Sequence, residues 1–124
     1  MDGVLAPPEA AQLRGTITVI KIRGCLDTNT ADTLDETLGL YLESGCCNII
    51  VDLAEVKYIG SCGWSTFLSR IKPIRDAGGD LKLVRMNSGV YEVYKVLEFF
   101  WFLRSYDALE DAVYDFEHDI PPMP

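Results

Sequence analysis

Histidine is almost absent from this 124-residue chain; His118 is the only one. With a single histidine, neither a Ser-His-Asp triad nor a Cys-His dyad can be assembled on a rigid frame. His118 itself falls beside a proline-bearing terminal stretch and reads as a solvated tail residue. The glycine signatures of phosphate and acyl chemistry are missing as well: there is no G-x-x-x-x-G-K-[ST], no G-x-G-x-x-G and no G-x-S-x-G. These absences argue against an enzyme, and no cofactor is expected.

Positive charge is scarce. Lys and Arg total 11 against 19 Asp and Glu, a net charge of −8. The sign opposes unaided binding to nucleic acid or to an anionic membrane and suits a protein partner that carries basic residues. Long apolar runs are lacking too. The longest, Phe99-Phe100-Trp101-Phe102-Leu103, falls far short of the roughly 18–20 residues that span a bilayer, so no membrane insertion is expected. Met1 to Pro8 has neither the basic start nor the apolar centre of a signal peptide. The expected location is the cytoplasm.

Cys25, Cys46, Cys47 and Cys62 have neither zinc-pair nor C-x-x-C spacing. They read as free thiols, some of them small core residues, and Cys62 as buried and inert. Thiol chemistry at Cys62 or at the vicinal pair Cys46-Cys47 is the competing reading.

What is present is an ordinary globular composition, 48% hydrophobic and 24% charged, in a length typical of one domain of about 100–150 residues. Residues 1–14 show no sustained period and read as a mobile arm; 118–124, with Pro121, Pro122 and Pro124, read as a disordered tail. The domain is expected over 15–117.

Within it, Thr16 to Ile22 is rich in β-branched residues and reads as a strand, broken at Gly24 and resumed briefly at Cys25-Leu26. Asp27, Thr28, Asn29 and Thr30 are all competent helix caps. Ala31, Leu34, Leu38, Tyr41 and Leu42 then repeat at helical spacing, up to a stop at Gly45. Asn48 to Leu53 suits a central strand, followed by a turn and Tyr58-Ile59. A second helical stripe runs through Trp64, Phe67, Leu68, Ile71 and Ile74, with Pro73 late in it and Gly78-Gly79 ending it. Leu81 to Val84 reads as a strand. Asn87-Ser88 caps a third helix with Val90, Val93, Tyr94 and Leu97 on one face. Phe102 to Arg104 reads as a last short strand, and Asp107 to Glu110 as a capping-box-like start to a helix faced by Leu109, Ala112, Val113 and Phe116. Strands alternate with helices, so the class is α/β with a small sheet.

Asp52, at the end of a buried strand, is where a receiver domain would carry its phospho-aspartate. A receiver also needs an acidic pair after its first strand to hold Mg²⁺, and here only Asp27 follows Arg23-Gly24-Cys25-Leu26.

The most informative segment is Tyr58-Ile59-Gly60-Ser61-Cys62-Gly63-Trp64. A strand ends, two glycines bracket two small polar residues, and an amphipathic helix begins. The plain reading is that Ser61 caps the helix. The functional reading is that a hydroxyl at a helix N-terminus can carry a phosphate, which free N–H groups and the helix dipole favour there.

The order and spacing of several segments resemble the STAS domain, the sulfate-transporter and anti-sigma-factor-antagonist family. They are Gly24-Cys25-Leu26-Asp27, Ile50-Val51-Asp52-Leu53, Tyr58 to Gly63, Gly78 to Leu83, and Ala108 to Ala112. The resemblance implies a small mixed β-sheet flanked by about four α-helices. It also implies a non-catalytic switch in signal transduction and transcription regulation. In the antagonist branch the protein binds an anti-sigma factor that is a serine kinase. Phosphorylation at the start of the second helix breaks the complex, and a phosphatase resets it. The phosphoserine position matches Ser61, and the partner-binding edge matches Asp27, Thr28, Asn29, Thr30, Gly60, Cys62, Gly63 and Trp64. Gly60 and Cys62 stand where the family pattern has Asp and a second hydroxyl residue. The same resemblance admits an unphosphorylated scaffold module, in stress signalling or at a transporter's cytoplasmic face. The aromatic run Phe99-Phe100-Trp101 reads as core packing, with any exposed remnant a contact or homodimer surface.

Overall fold

Strand-forming and helix-forming segments alternate along the chain, and each strand of the resulting sheet lies beside the next in sequence. The computed structural model describes residues 12–14 and 17–118. The elements are β1 (Gln12–Arg14), β2 (Ile17–Leu26), α1 (Thr28–Glu43), β3 (Asn48–Ile59), α2 (Ser61–Asp76), β4 (Asp80–Val84), α3 (Ser88–Val96), a 3₁₀ turn (Phe99–Trp101), β5 (Arg104–Tyr106) and α4 (Leu109–Glu117). The sheet order is β1-β2-β3-β4-β5. β1 is antiparallel to β2, and β2 to β5 are parallel. The expected mixed sheet with four helices is present.

Strand alternation sends residues to two unequal sides. Ile20, Ile22, Ile49, Val51, Leu53, Leu81 and Leu83 share the main core with residues of α1, α2 and α3. Ile17, Val19, Ile50 and Val84 meet Ala112 and Val113 of α4 in a smaller cluster. Because β3 has buried residues on both faces, Asn48 to Leu53 is nearly all apolar.

Several boundaries differ from the sequence expectation. β2 is not broken at Gly24: the strand runs to Leu26, with register shifts at Lys21/Arg23 and Gly24/Cys25. Gly24 absorbs the irregularity with φ 79°, a left-handed conformation open to glycine. β3 does not turn after Leu53. Val56 is buried, and the strand stays paired with β2 as far as Ile59. The end of α2 does agree: the helix runs past Pro73 to Asp76, just before Gly78-Gly79. The last strand lies at Arg104–Tyr106, two residues later than expected, because Glu98 turns left-handed (φ 59°) and diverts the chain into the 3₁₀ turn. α4 is capped by Ala108 with no side-chain cap bond, so the capping box expected there is not used. The expected irregular arm falls mostly outside the described residues, but its last three form β1. Of the expected tail only His118 is described; its ring stacks on Tyr114.

The α4 side carries buried charge. Lys82, 1% exposed, lies 3.3 Å from an Asp80 carboxylate oxygen and 3.3 Å from the Tyr106 hydroxyl. Arg75 donates to Asp80 (2.9 Å), and Tyr106 donates to Asp115 of α4. Asp52 is likewise buried and held in a two-bond fork by Arg85. That pairing takes both carboxylate oxygens and leaves no receiver-type acidic pocket. Burial lowers the Lys82 pKa, whereas burial and then the bond to Asp115 raise that of Tyr106.

The signs predict an alkaline signature. A tyrosine whose folded pKa lies above 10 keeps its proton after the unfolded chain has released it, so stability falls as pH rises past 10. Lys82, with a folded pKa below 10.5, gives the opposite slope on approaching that value. Urea midpoints at about pH 9 and about pH 11 should drop more for the wild type than for Tyr106→Phe, which keeps the Lys82 contribution. Equal drops would remove Tyr106 from the account.

Candidate functional site

Two parallel strands that end level with each other bring two helix starts together. Leu26 and Ile59 are register partners at the ends of β2 and β3. The Gly60 N–H donates to the Leu26 carbonyl at 2.8 Å, which locks the two strand ends. From there α1 starts at Thr28 and α2 at Ser61. The two starts touch where Thr28 Oγ1 lies 3.7 Å from Cys62 Sγ.

The first start is capped by side chains. Asp27 accepts from the N–H of Asn29 (3.0 Å) and of Thr30 (3.3 Å). Thr30 Oγ1 in return accepts from the Asp27 N–H and donates to the Cys25 carbonyl, both at 2.9 Å. This reciprocal capping box fixes the loop conformation. The second start differs from expectation: Gly60, not Ser61, is the N-cap, and no side chain caps α2. Ser61 is therefore the first helical residue and its hydroxyl is not spent on capping. The Cys62 carbonyl accepts from Thr66 Oγ1 at 2.9 Å. α1 and α2 are tied further along by Arg70, which grips Asp35 through two bonds of 2.7 and 3.2 Å.

Exposure divides the expected partner-binding residues. Thr28, Asn29, Ser61 and Cys62 are exposed, and Asp27 and Gly60 are partly so. Thr30, Gly63 and Trp64 are buried and cannot be contact residues on this surface. Thr30 turns inward to complete the capping box. Gly63 lies against the strand ends: a Cβ there would sit 2.8 Å from Leu26 and 2.9 Å from Ile59. Trp64, 3% exposed, stacks on Phe99 at 4.8 Å and packs edge-on against Phe67. Its place at the fourth helical position points it into the core rather than out from the edge. The expectation of a buried Cys62 is also corrected: the thiol is exposed, and Cys25, Cys46 and Cys47 are half-buried.

One residue missing from the sequence-based set is Tyr58. It is 58% exposed, and its ring would be 3.4 Å from a Cβ at Gly60. Alternation was the available signal, since Ile59 points in and its neighbour must point out. The exposed surface at the end of the sheet is thus Tyr58, Thr28, Asn29, Ser61 and Cys62. No group of three or more His, Cys, Asp or Glu among the described residues is arranged to hold a metal ion. No helix among them is long and apolar enough to cross a membrane.

Comparison with known proteins agrees with this geometry. A sequence profile of the STAS domain matches residues 8–112. A Bordetella bronchiseptica protein, the candidate anti-sigma factor antagonist BtrV, is 25% identical over 100 residues, covering 81% of this chain and 86% of its own. The crystal structure of a candidate anti-sigma factor antagonist from Thermotoga maritima superposes with a TM-score of 0.82. It is 19% identical and covers 86% of this chain and 92% of that one. The phosphorylated form of the Bacillus cell-fate determinant SpoIIAA superposes with a TM-score of 0.64, at 18% identity, over 86% of this chain and 99% of that one. At these identities the structures share the fold.

Two stability effects follow. Asp27→Ala removes the cap of α1 and should cost about 0.5–2 kcal/mol. Gly63→Ala forces a methyl against Leu26 and Ile59 and should cost about 1–3 kcal/mol. Urea unfolding measures both. A neutral Gly63→Ala would show that the close approach of α2 to the strand ends is not a constraint.

Proposed function

This chain belongs to the STAS-domain family, and from that premise we propose that it is an anti-sigma factor antagonist acting in the cytoplasm through a phosphorylation switch at Ser61. The partner is an anti-sigma factor that is itself a serine kinase. The unphosphorylated chain docks on it through Tyr58, Thr28, Asn29, Ser61 and Cys62. Phosphorylation of Ser61 undocks it, and a phosphatase restores it. The chain supplies shape and an acidic surface, and no chemistry of its own.

The observation that carries this reading is the position of Ser61, exposed as the first residue of α2 with its hydroxyl free of the cap. At a helix start the first N–H groups lack intrahelical acceptors, and neither Cys62 nor any other residue of the first turn of α2 is acidic. A phosphate there would meet a positive dipole end and no nearby carboxylate on its own helix. It would add about −1.5 to −2 units of charge to the docking edge. A surface matched to the neutral hydroxyl would then carry both repulsion and bulk. The similarity to SpoIIAA, a protein with a structure in a phosphorylated form, supports this reading.

Gly60 and Cys62 favour a second reading. They remove a carboxylate and a hydroxyl from the family pattern, which suits a constitutive module that docks without being phosphorylated.

Intact-mass measurement after incubation with the cognate kinase and ATP separates the two readings: one phosphate, absent in Ser61→Ala, is expected for the switch. Ser61→Asp should weaken partner binding by about tenfold or more, ~1.4 kcal/mol or above, whereas Ser61→Ala should bind and ignore the kinase. No phosphate adduct, or full-strength binding by Ser61→Asp, would leave the constitutive module.

A further inference from the structure

The strand that leads into Ser61 changes phase just before it. Val56 and Ile59 both lie in the main core, and Lys57 and Tyr58 between them are both exposed. Counted back from Ile59, alternation turns Tyr58 out; counted forward from Val56, it would turn Tyr58 in. The register reconciles the two. Gly24 of β2 pairs with Val56 and Cys25 with Tyr58, so Lys57 has no partner in β2 and forms a bulge. A bulge re-aims the residues that follow it. This one lets Ile59 enter the core and puts Tyr58 on the exposed edge.

The bulge sits where the sheet supports it on one side. β4 ends at Val84, whose register partner is Asp52. Beyond Asp52, among the described residues, β3 has β2 beside it and no strand on its other edge. Asn87 stands there instead. Its Nδ2 donates to the Val56 carbonyl at 2.9 Å and reaches the Lys57 carbonyl at 3.5 Å, the two carbonyls that bracket the extra residue. Its Oδ1 accepts from the Val90 N–H at 2.8 Å as the cap of α3. Val90 and Tyr94 anchor α3 in the main core, so the amide is fixed at one end and holds β3 with the other. The next fixed point along β3 is the bond from the Gly60 N–H to the Leu26 carbonyl. Tyr58 lies between these two clamps, one from α3 and one from β2.

We propose that Asn87 is a positioning residue for the Ser61 edge. By holding the bulge at Lys57 it turns Tyr58 outward and sets the approach to α2, so a third helix contributes to the geometry of an edge built from the starts of α1 and α2. The proposal rests on the reading that this edge docks a serine kinase, and adds to it a residue from another element. The amide suits both tasks. Asp or Ser at this position also caps a helix, but a carboxylate has no N–H to donate and a serine side chain is too short to reach β3 while capping α3.

That difference supplies the test. Asn87→Ser and Asn87→Asp keep a cap for α3 and remove the donor to β3, whereas Asn87→Ala removes both. Amide hydrogen exchange on the full chain alone reads the clamp. Over residues 56–60 exchange should be about tenfold faster in all three variants, the upper range for one neutral hydrogen bond. Over α3 it should be faster only in Asn87→Ala, and over α1 and β4 it should match the wild type, which shows that the variants fold. With the kinase and ATP of the preceding experiment, Asn87→Ser and Asn87→Ala should both raise the KM for this chain about three- to tenfold with kcat unchanged, the pattern of lost docking. If Asn87 only caps α3, Asn87→Ser restores the wild-type KM, and that result overturns the proposal. So does exchange over residues 56–60 that Asn87→Ser leaves unchanged, or an increase spread evenly over the sheet. A wild type that takes up no phosphate ends the switch reading alone; the exchange data still decide whether Asn87 holds the edge.

Discussion

The bond from the Gly60 N–H to the Leu26 carbonyl, made where two parallel strands end level, is the constraint on which the candidate site depends. It sets the starts of α1 and α2 side by side. Thr28 against Cys62 and Ser61 at the first helical position follow from it, while strand alternation turns Tyr58 out. Gly63 belongs to the same constraint, because a bulkier residue would hold α2 away from Leu26 and Ile59. The edge is built from backbone pairing and close packing, and Tyr58, Asn29, Ser61 and Cys62 stay exposed on it.

The two sides of the sheet carry different physics. The side under α1, α2 and α3 is sealed by aliphatic and aromatic packing, with Trp64 joining the first turn of α2 to the ring cluster at Phe99 and Tyr94. The side under α4 has a smaller apolar cluster and a buried charged group built around Lys82, Asp80 and Asp115. Buried ion pairs are weak evidence for net stability, yet removing one partner from such a pair is costly, about 3–5 kcal/mol. Through Asp115 the group ties α4 to β4 and β5. The exposed edge around Ser61 lies elsewhere, at the ends of β2 and β3 and the starts of α1 and α2.

Much of the architecture was readable from pattern. The stripe Ala31, Leu34, Leu38 recurs at helical spacing, and the β-branched run from Ile17 marks a strand. Asn87 was legible as a cap and accepts from the Val90 N–H at 2.8 Å. What failed was local punctuation. Gly24 reads as a break with pairing resumed at Cys25-Leu26, but β2 stays paired with β3 through it, Gly24 absorbing the register shift at φ 79°. Ser61 was read as a cap, but Gly60 takes that place. Trp64 fits the apolar stripe of the second helix and is buried there, against Tyr94 and Phe99, while the partner edge that the resemblance implies for it is not where it lies.

By itself the sequence determined the alternation of strands and helices, the acidic balance and the motif around Ser61, because periodicity, charge and local order are properties of neighbouring residues. Only the tertiary structure decided which polar residues at the sheet's edge face solvent, which half of α3 stays uncovered, and that Asp52 is closed off by Arg85. Those outcomes turn on contacts between residues far apart in the chain, such as Leu26 with Gly60, Asp52 with Arg85 and Trp64 with Phe99. A one-residue change of register or a quarter turn of a helix would reverse each of them without altering the pattern that predicts the element.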